Sequence, residues 1–129
     1  MNKAYKNYFP LPNMIFSLGL SPGEIAVYSY LLYCEDRKTY QCYPSYKTIG
    51  QAVGMSMNTV QKYIFELADK GFITIEPTGV ITKSGQKRNG SHRYTIQPIQ
   101  KVVELYHQRQ LRKMEQSLAK SQIAKQTAV

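Results

Sequence analysis

Few side chains in this sequence are spaced for catalysis. Among the eight carboxylates, only Glu35 and Asp36 are adjacent. The run His92-Arg93-Tyr94 could supply a nucleophilic tyrosine, but neither a second histidine nor an acidic cluster for Mg²⁺ stands beside it in the sequence. Five residues separate Gly79 from Gly85 and no Gly-Lys-Ser/Thr occurs, so the phosphate-loop pattern is missing. We therefore expect a protein that is not an enzyme and has no cofactor.

The two cysteines, Cys34 and Cys42, form no CxxC pair. Neither they nor His92 and His107 have the spacing of a zinc site. We expect two free thiols in a reducing compartment and no bound metal. The start MNKAYKNYF lacks the apolar stretch of a signal peptide, and no apolar run is long enough to span a bilayer. The sequence therefore predicts a cytoplasmic protein without a membrane partner.

The charge indicates binding rather than catalysis. The chain has 17 Lys and Arg against eight Asp and Glu, a net charge of +9. Ten of the basic residues but only two of the acidic ones follow position 82, so that part carries +8 and the first 82 residues carry +1. This uneven excess predicts a polyanionic partner. Nucleic acid is favoured over a membrane surface because no basic helix carries Trp or Phe on its apolar face; a merely solvated basic tail is the alternative.

Three serines mark the starts of three predicted helices: Ser21, which opens a capping-box pattern with Glu24, then Ser45 and Ser56. Apolar residues at helical spacing follow each of them. The first helix is expected to run to about Cys34, and residues 35–43 are predicted to form a polar loop. The second and third helices are predicted to end at Gly54 and Gly71.

After Gly71 the apolar pattern changes to the alternation of strands. Residues 72–76 and 91–96 are predicted to pair as a hairpin around a long loop rich in glycine and basic residues. A long helix is expected from Pro98, and its end, AKSQIAKQTAV, is expected to fray. Residues 1–20 are predicted to be an irregular arm, with one short helical turn near Met14.

The order of three helices and a hairpin leads to a resemblance. The segment SYKTIGQAVGMSMNTVQKYIFELADKGFITIEP resembles the winged helix-turn-helix family of Gram-positive bacteria, phages and plasmids, including domains of plasmid replication initiators. Gly50 stands where many members carry alanine, and Tyr63 where a branched aliphatic residue is commoner. The resemblance implies a helix-rich α+β fold: a three-helix bundle, a β-hairpin wing and a C-terminal helix. The expected organisation is an N-terminal arm (1–20), the winged domain (21–97) and a C-terminal helix with a frayed tail (98–129).

The resemblance also implies which residues bind DNA. They are Ser56, Met57, Asn58, Thr59, Gln61 and Lys62 on the third helix, Tyr46 and Lys47 at the start of the second, and Lys83, Lys87, Arg88 and Arg93 on the wing. If Val60, Ile64 and Leu67 face the core, Phe65 also lies on the solvent side of the third helix. Asn58 and Gln61 can pair with adenine, and Met57 can contact the thymine methyl, so an A·T-leaning site is expected.

Three functions stay open on the sequence alone. The first is sequence-specific binding of double-stranded DNA by a small transcriptional regulator. The second is a DNA-binding module of plasmid or phage replication or of conjugative transfer. The third is a winged helix that binds an acidic protein. No small-molecule ligand is expected, and the C-terminal helix is predicted either to pair two copies through residues such as Leu111, Met114 and Leu118 or to dock on its own domain.

Overall fold

The computed structural model describes residues 7–81, 87–89 and 92–127. Its elements are a 3-10 helix (Asn13–Ser17), α1 (Pro22–Cys34), β1 (Gln41–Cys42), α2 (Tyr46–Val53), α3 (Met57–Asp69), β2 (Ile73–Glu76), β3 (Gly79–Ile81), β4 (Lys87–Asn89), β5 (Arg93–Ile96) and α4 (Ile99–Thr127). The predicted architecture of three bundled helices, a hairpin wing and a C-terminal helix is confirmed.

The three predicted helix starts are confirmed. Ser21 and Glu24 form a reciprocal capping box, in which the Ser21 hydroxyl accepts the Glu24 amide at 3.2 Å and the Glu24 carboxylate accepts the Ser21 amide at 3.0 Å. The first of these bonds recurs at the other two starts, between Ser45 and the Thr48 amide (3.1 Å) and between Ser56 and the Thr59 amide (3.3 Å). Because these amides have no partner within their helices, the serines fix where each helix begins.

The sheet contains a strand that the sequence analysis missed. β1, β5 and β2 are neighbours in that order, and both pairs are antiparallel. β1 is only Gln41 and Cys42, inside the segment predicted as a polar loop, and Cys42 lies opposite Tyr94. Two residues are too few to show the alternation that marks a strand. The Ile96 amide adds a hydrogen bond to the Tyr40 carbonyl at 2.9 Å, so β5 holds this segment in place.

The wing contains more strand than predicted. β2 and β5 form its base, where Glu76 lies opposite Arg93. Further along the chain β3 pairs with β4, and Ile81 lies opposite Lys87. Much of the predicted basic loop is therefore a two-stranded ribbon. Val80 and Ile81 are β-branched, which favours a strand despite the glycines and basic residues around them.

One core joins the bundle, the sheet and the segments on either side. Its fully buried members are Ile15, Val27, Tyr28, Leu31, Ile49, Val60, Ile64, Leu67, Phe72, Ile73, Tyr94 and Val102. Near its centre the rings of Tyr28 and Phe72 meet edge to face, with centroids 5.1 Å apart. Ile15 precedes residue 21 and Val102 follows residue 97, so the core crosses both predicted domain limits.

α4 has two halves in different surroundings. In the first half Val102 is buried, Leu105 lies against Gly71, and Tyr106 lies beside Gly19. From residue 107 to residue 124 every side chain is exposed. α4 extends to Thr127 and so includes most of the segment AKSQIAKQTAV, whose fraying stays a prediction. This segment has neither glycine nor proline and is rich in alanine, lysine and glutamine, all of which favour a helix.

Candidate nucleic-acid interface

The turn between α2 and α3 sets the direction in which α3 leaves the bundle. Gly54 ends α2 with φ 72° and ψ 39°, the left-handed conformation that glycine adopts without strain. The amides of Gly54 and Met55 both donate to the Gly50 carbonyl. Ile49 and Val60, one on each helix, are buried beneath this turn. α3 is thus held by backbone hydrogen bonds and by the core.

α3 buries one side and presents the other. Val60, Ile64 and Leu67 are 0% exposed, as predicted. The exposed side carries Met57 (54% exposed), Asn58, Gln61, Lys62 and Phe65 (52% exposed). The acidic residues of the helix, Glu66 and Asp69, lie towards its far end. The first two turns therefore present amides, apolar groups and one cation, with no carboxylate to repel a phosphate.

The hydroxyls of Ser56 and Thr59 contact each other. Ser56 accepts the Thr59 amide, and the two hydroxyl oxygens are 2.9 Å apart. Ser56 is exposed and Thr59 is half-buried. Any contact of the Ser56 hydroxyl with DNA must therefore use an oxygen atom that already caps α3. Nearby, the exposed Lys62 ammonium lies 5.4 Å from the centroid of the Tyr63 ring.

Tyr46 and Lys47, the two residues at the start of α2 that were predicted to bind DNA, differ in exposure. Lys47 is exposed. The Tyr46 hydroxyl is buried near that of Tyr94, and neither makes a hydrogen bond of normal geometry with the described residues. Burial raises the pKa of both phenols. The Tyr46 ring lies 5.6 Å from that of His92, so this side chain packs at the root of the wing and does not offer its hydroxyl to a phosphate in this conformation.

The predicted basic residues of the wing have different positions. Lys87 and Arg88 are on β4, opposite Ile81 and Val80, so they lie in a paired strand within the segment that was predicted to be a loop. Lys83 lies outside the described residues. Arg93 forms an ion pair with Glu76 on the neighbouring strand, which gives its guanidinium a partner within the protein.

An ion pair that the sequence analysis missed ties the end of α3 to the start of α1. The Lys70 ammonium lies 2.7 and 2.9 Å from the two carboxylate oxygens of Glu24, which is 3% exposed. Burial acts to raise the pKa of Glu24, but hydrogen bonds from Lys70 and Ser21 prevail and hold that pKa below its ordinary value. The two residues are 46 positions apart, and no local pattern signals that they meet.

Within residues 7–81, 87–89 and 92–127, no group of three or more His, Cys, Asp and Glu comes together to hold a metal ion. Cys34 and Cys42 are free thiols, as predicted. None of the helices in these ranges is long and apolar enough to cross a membrane. The candidate site is thus a surface of amides, hydroxyls and cations on α3, the start of α2 and the wing.

Comparison with known proteins agrees with this geometry. Residues 18–73 are similar to the family described as a helix-turn-helix domain. The structure is similar to that of a possible transcriptional regulator from Methanosarcina mazei Go1, with a TM-score of 0.52 and 17% identity over 81% of this chain and 82% of that one. At this identity the likeness concerns the fold. No curated protein matches the chain in sequence. The link to Gram-positive bacteria, phages and plasmids stays a prediction.

Proposed function

We propose that this protein binds double-stranded DNA in a sequence-specific manner and acts as a small transcriptional regulator. One observation carries the proposal. α3 has an exposed face that carries Asn58, Gln61 and Lys62, and the first two turns of this helix contain no carboxylate. Amide side chains can pair bidentately with adenine in the major groove, and a lysine can contact a phosphate or guanine. The helix-turn-helix match and the net charge of +9 support the same function.

The wing supplies the second contact in this proposal. Lys87 and Arg88 follow one another on β4, and Lys47 is exposed at the start of α2. Basic residues at such positions bind phosphates and set the register of the protein on the duplex. Arg93 contributes less, because its guanidinium is already paired with Glu76. We expect phosphate binding by Lys47, Lys87 and Arg88, and base reading by Asn58 and Gln61.

Duplex binding at several salt concentrations tests the function. A random duplex pool is first selected on the wild-type protein, and an A·T-leaning consensus is expected. Affinity for that consensus should exceed affinity for random competitor by about a thousandfold and should fall steeply with salt. Lys87→Ala and Arg88→Ala should each reduce the slope of log affinity against log salt by about 1. Lys120→Ala, on the exposed half of α4, is the matched control and should leave the slope unchanged.

Two outcomes would contradict the proposal. Absence of salt-dependent duplex binding would favour a protein-interaction role with an acidic partner. A G·C-rich consensus would contradict the roles given to Asn58 and Gln61, because amide side chains pair best with adenine. The regulatory role is tested separately, by placing the selected site across a promoter and measuring transcription. Bound sites confined to direct repeats beside a replication origin would instead favour the replication role.

We further propose that two copies associate through the exposed half of α4. The exposed half carries three large apolar side chains, Leu111, Met114 and Leu118, which are 59, 63 and 61% exposed. They follow one another at spacings of three and four residues and therefore share one face of the helix. An isolated helical segment without packing is marginal in water, so an apolar stripe on it favours a partner helix. Pairing would also let two copies of α3 bind two half-sites of one duplex.

Sedimentation of the full chain tests this association. Leu118→Glu should shift the protein towards a monomer, because it places a charge within the apolar stripe. Gln116→Glu adds the same charge to another face of the helix and is the matched control. Shortening the chain at Pro98 is a poorer test, because it removes Val102 from the core. A wild-type chain that is monomeric at all concentrations would refute the pairing.

A further inference from the structure

The exposed face of α3 carries a phenylalanine that the proposed contacts do not use. Phe65 is 52% exposed, in the middle of the helix. It follows Asn58 by seven residues, Gln61 by four and Lys62 by three, and residues at these spacings share one face of an α-helix. A phenylalanine therefore lies on the same face as the two amides and the lysine proposed to enter the major groove.

Packing within the protein does not account for the position of this ring. The core side of α3 is filled by Val60, Ile64 and Leu67, which are each 0% exposed. Phe65 is neither in the buried cluster nor among the partly buried residues packed against it. Single exposed apolar residues are common on protein surfaces. This one differs because its neighbours on the helix face are hydrogen-bonding groups suited to base edges.

We infer that Phe65 is a specificity-determining residue that contacts the C5-methyl group of a thymine, about three base pairs from the base read by Asn58. The inference rests on the proposed DNA-binding function. Where α3 follows the groove, seven helical residues advance roughly 10 Å at 1.5 Å each, about three times the spacing of roughly 3.4 Å between stacked base pairs. Thymine alone among the four bases presents a methyl group in the major groove, and Phe is one of the side chains that contact it.

The same ring disfavours other bases at that position. A benzyl side chain neither donates nor accepts a conventional hydrogen bond. Placed against the amino group of cytosine or the carbonyl of guanine, it would remove water from a polar edge without replacing the hydrogen bond. Phe65 thus selects a methyl-bearing edge, whereas Asn58 and Gln61 select by pairing.

Uracil scanning of the selected duplex tests the inference. Deoxyuridine replaces each thymine in turn, which removes only the methyl group. Wild-type protein should lose about fourfold in affinity at the thymine that Phe65 contacts, the effect expected for one buried methyl-sized group. Phe65→Ala should bind the thymine duplex about fourfold more weakly and should no longer distinguish uracil from thymine there. A uracil effect at a thymine contacted by Met57 should persist in Phe65→Ala. Phe65→Leu should keep part of the difference, because its side chain is still apolar.

Lys62→Ala is the matched control on the same helix face. It should weaken binding to both duplexes and leave the ratio between uracil and thymine unchanged, because a lysine does not contact the methyl by apolar packing. Unchanged melting temperatures would show that the variants are folded, as expected for exposed positions. Tight duplex binding in which Phe65→Ala retains every uracil effect would overturn the inference and leave the proposed function standing. If the wild-type protein showed no sequence-selective binding to any duplex, both the inference about Phe65 and the proposed function would be overturned.

Discussion

The carbonyl oxygen of Met55 occupies the place where a side chain at position 50 would begin. A Cβ atom built on Gly50 would lie 2.4 Å from that oxygen, closer than real Cβ contacts come. Gly50 also accepts the amide of Met55 through its own carbonyl at 2.9 Å. The tight turn into α3 therefore depends on the absence of a side chain at Gly50. Alanine, which the resemblance to the winged helix-turn-helix family would lead one to expect at this position, does not fit here.

Gly50→Ala should destabilise the protein by about 2 kcal/mol, because the methyl group forces the turn away from Met55 and outweighs the gain in helix propensity. Urea unfolding followed by circular dichroism measures the change. Gln51→Ala is the matched control: this neighbour is exposed, and the variant should stay within about 0.5 kcal/mol of wild type. A Gly50→Ala protein as stable as the control would show that the turn can relax.

The contact of a second glycine, Gly23, with Tyr63 predicts that substitutions at these two positions have coupled effects on stability. A Cβ atom on Gly23 would lie 2.3 Å from ring atoms of Tyr63, so this ring rests on the first turn of α1. Gly23→Ala should destabilise by roughly 1–2 kcal/mol. In the Tyr63→Leu background the same change should cost less, because the smaller side chain leaves room for the methyl group. A double-mutant cycle measures this coupling, and strictly additive effects would argue against the contact.

The parts of the fold that depend on neighbours in sequence were predictable. The caps at Ser21, Ser45 and Ser56 and the glycine turn at Gly54 act over three or four residues, and each is confirmed. The strand β1 was missed because its pairing with β5 joins residues that are 52 and 54 positions apart (Cys42 with Tyr94, Gln41 with Thr95), and two residues carry no period of their own.

The candidate site also contains some features that the sequence predicted and others that it did not. Helix phase alone predicted that Asn58, Gln61 and Lys62 are exposed, and their exposure is confirmed. The burial of the Tyr46 hydroxyl near Tyr94 and the pairing of Arg93 with Glu76 were not predictable, since both arise from strands that meet only in the folded chain. Contact of these residues with DNA stays a prediction.

The Glu24–Lys70 pair predicts a loss of stability in acid. The pKa of Glu24 lies below the ordinary value of 4.5 in the folded protein. A depressed carboxyl pKa contributes stability that is fully present above about pH 4.5 and is lost as pH falls through the folded value. Lys70→Met should therefore cost about 2 kcal/mol at pH 7, because it leaves a buried carboxylate without its partner.

The difference between wild type and Lys70→Met should narrow as pH falls below the pKa that Glu24 has in the variant, and it should be smallest below the lowered pKa of Glu24 in the wild type, where the carboxyl is protonated in both proteins. Urea unfolding at pH 7, 5, 4 and 3 measures this difference. Lys101→Met, which alters an exposed lysine of α4, is the control and should show little change at any pH. A constant difference between wild type and Lys70→Met over the whole range would mean that the variant loses packing rather than the ion pair.

The two thiols should react at very different rates. Burial, with smaller effects from Cys34 and Glu35, raises the pKa of the Cys42 thiol to about 12, and Cys42 is 3% exposed. Cys34 is half-buried and its pKa is raised to a lesser degree, mainly by burial. Because the thiolate is the reactive form, iodoacetamide at pH 8 should label Cys34 at least about tenfold faster than Cys42 in the folded protein.

Peptide mass spectrometry measures both labelling rates. Labelling in urea, where the two rates should become equal, is the control. Equal rates without urea would show that the segment holding β1 opens readily, and would contradict its tight pairing with β5.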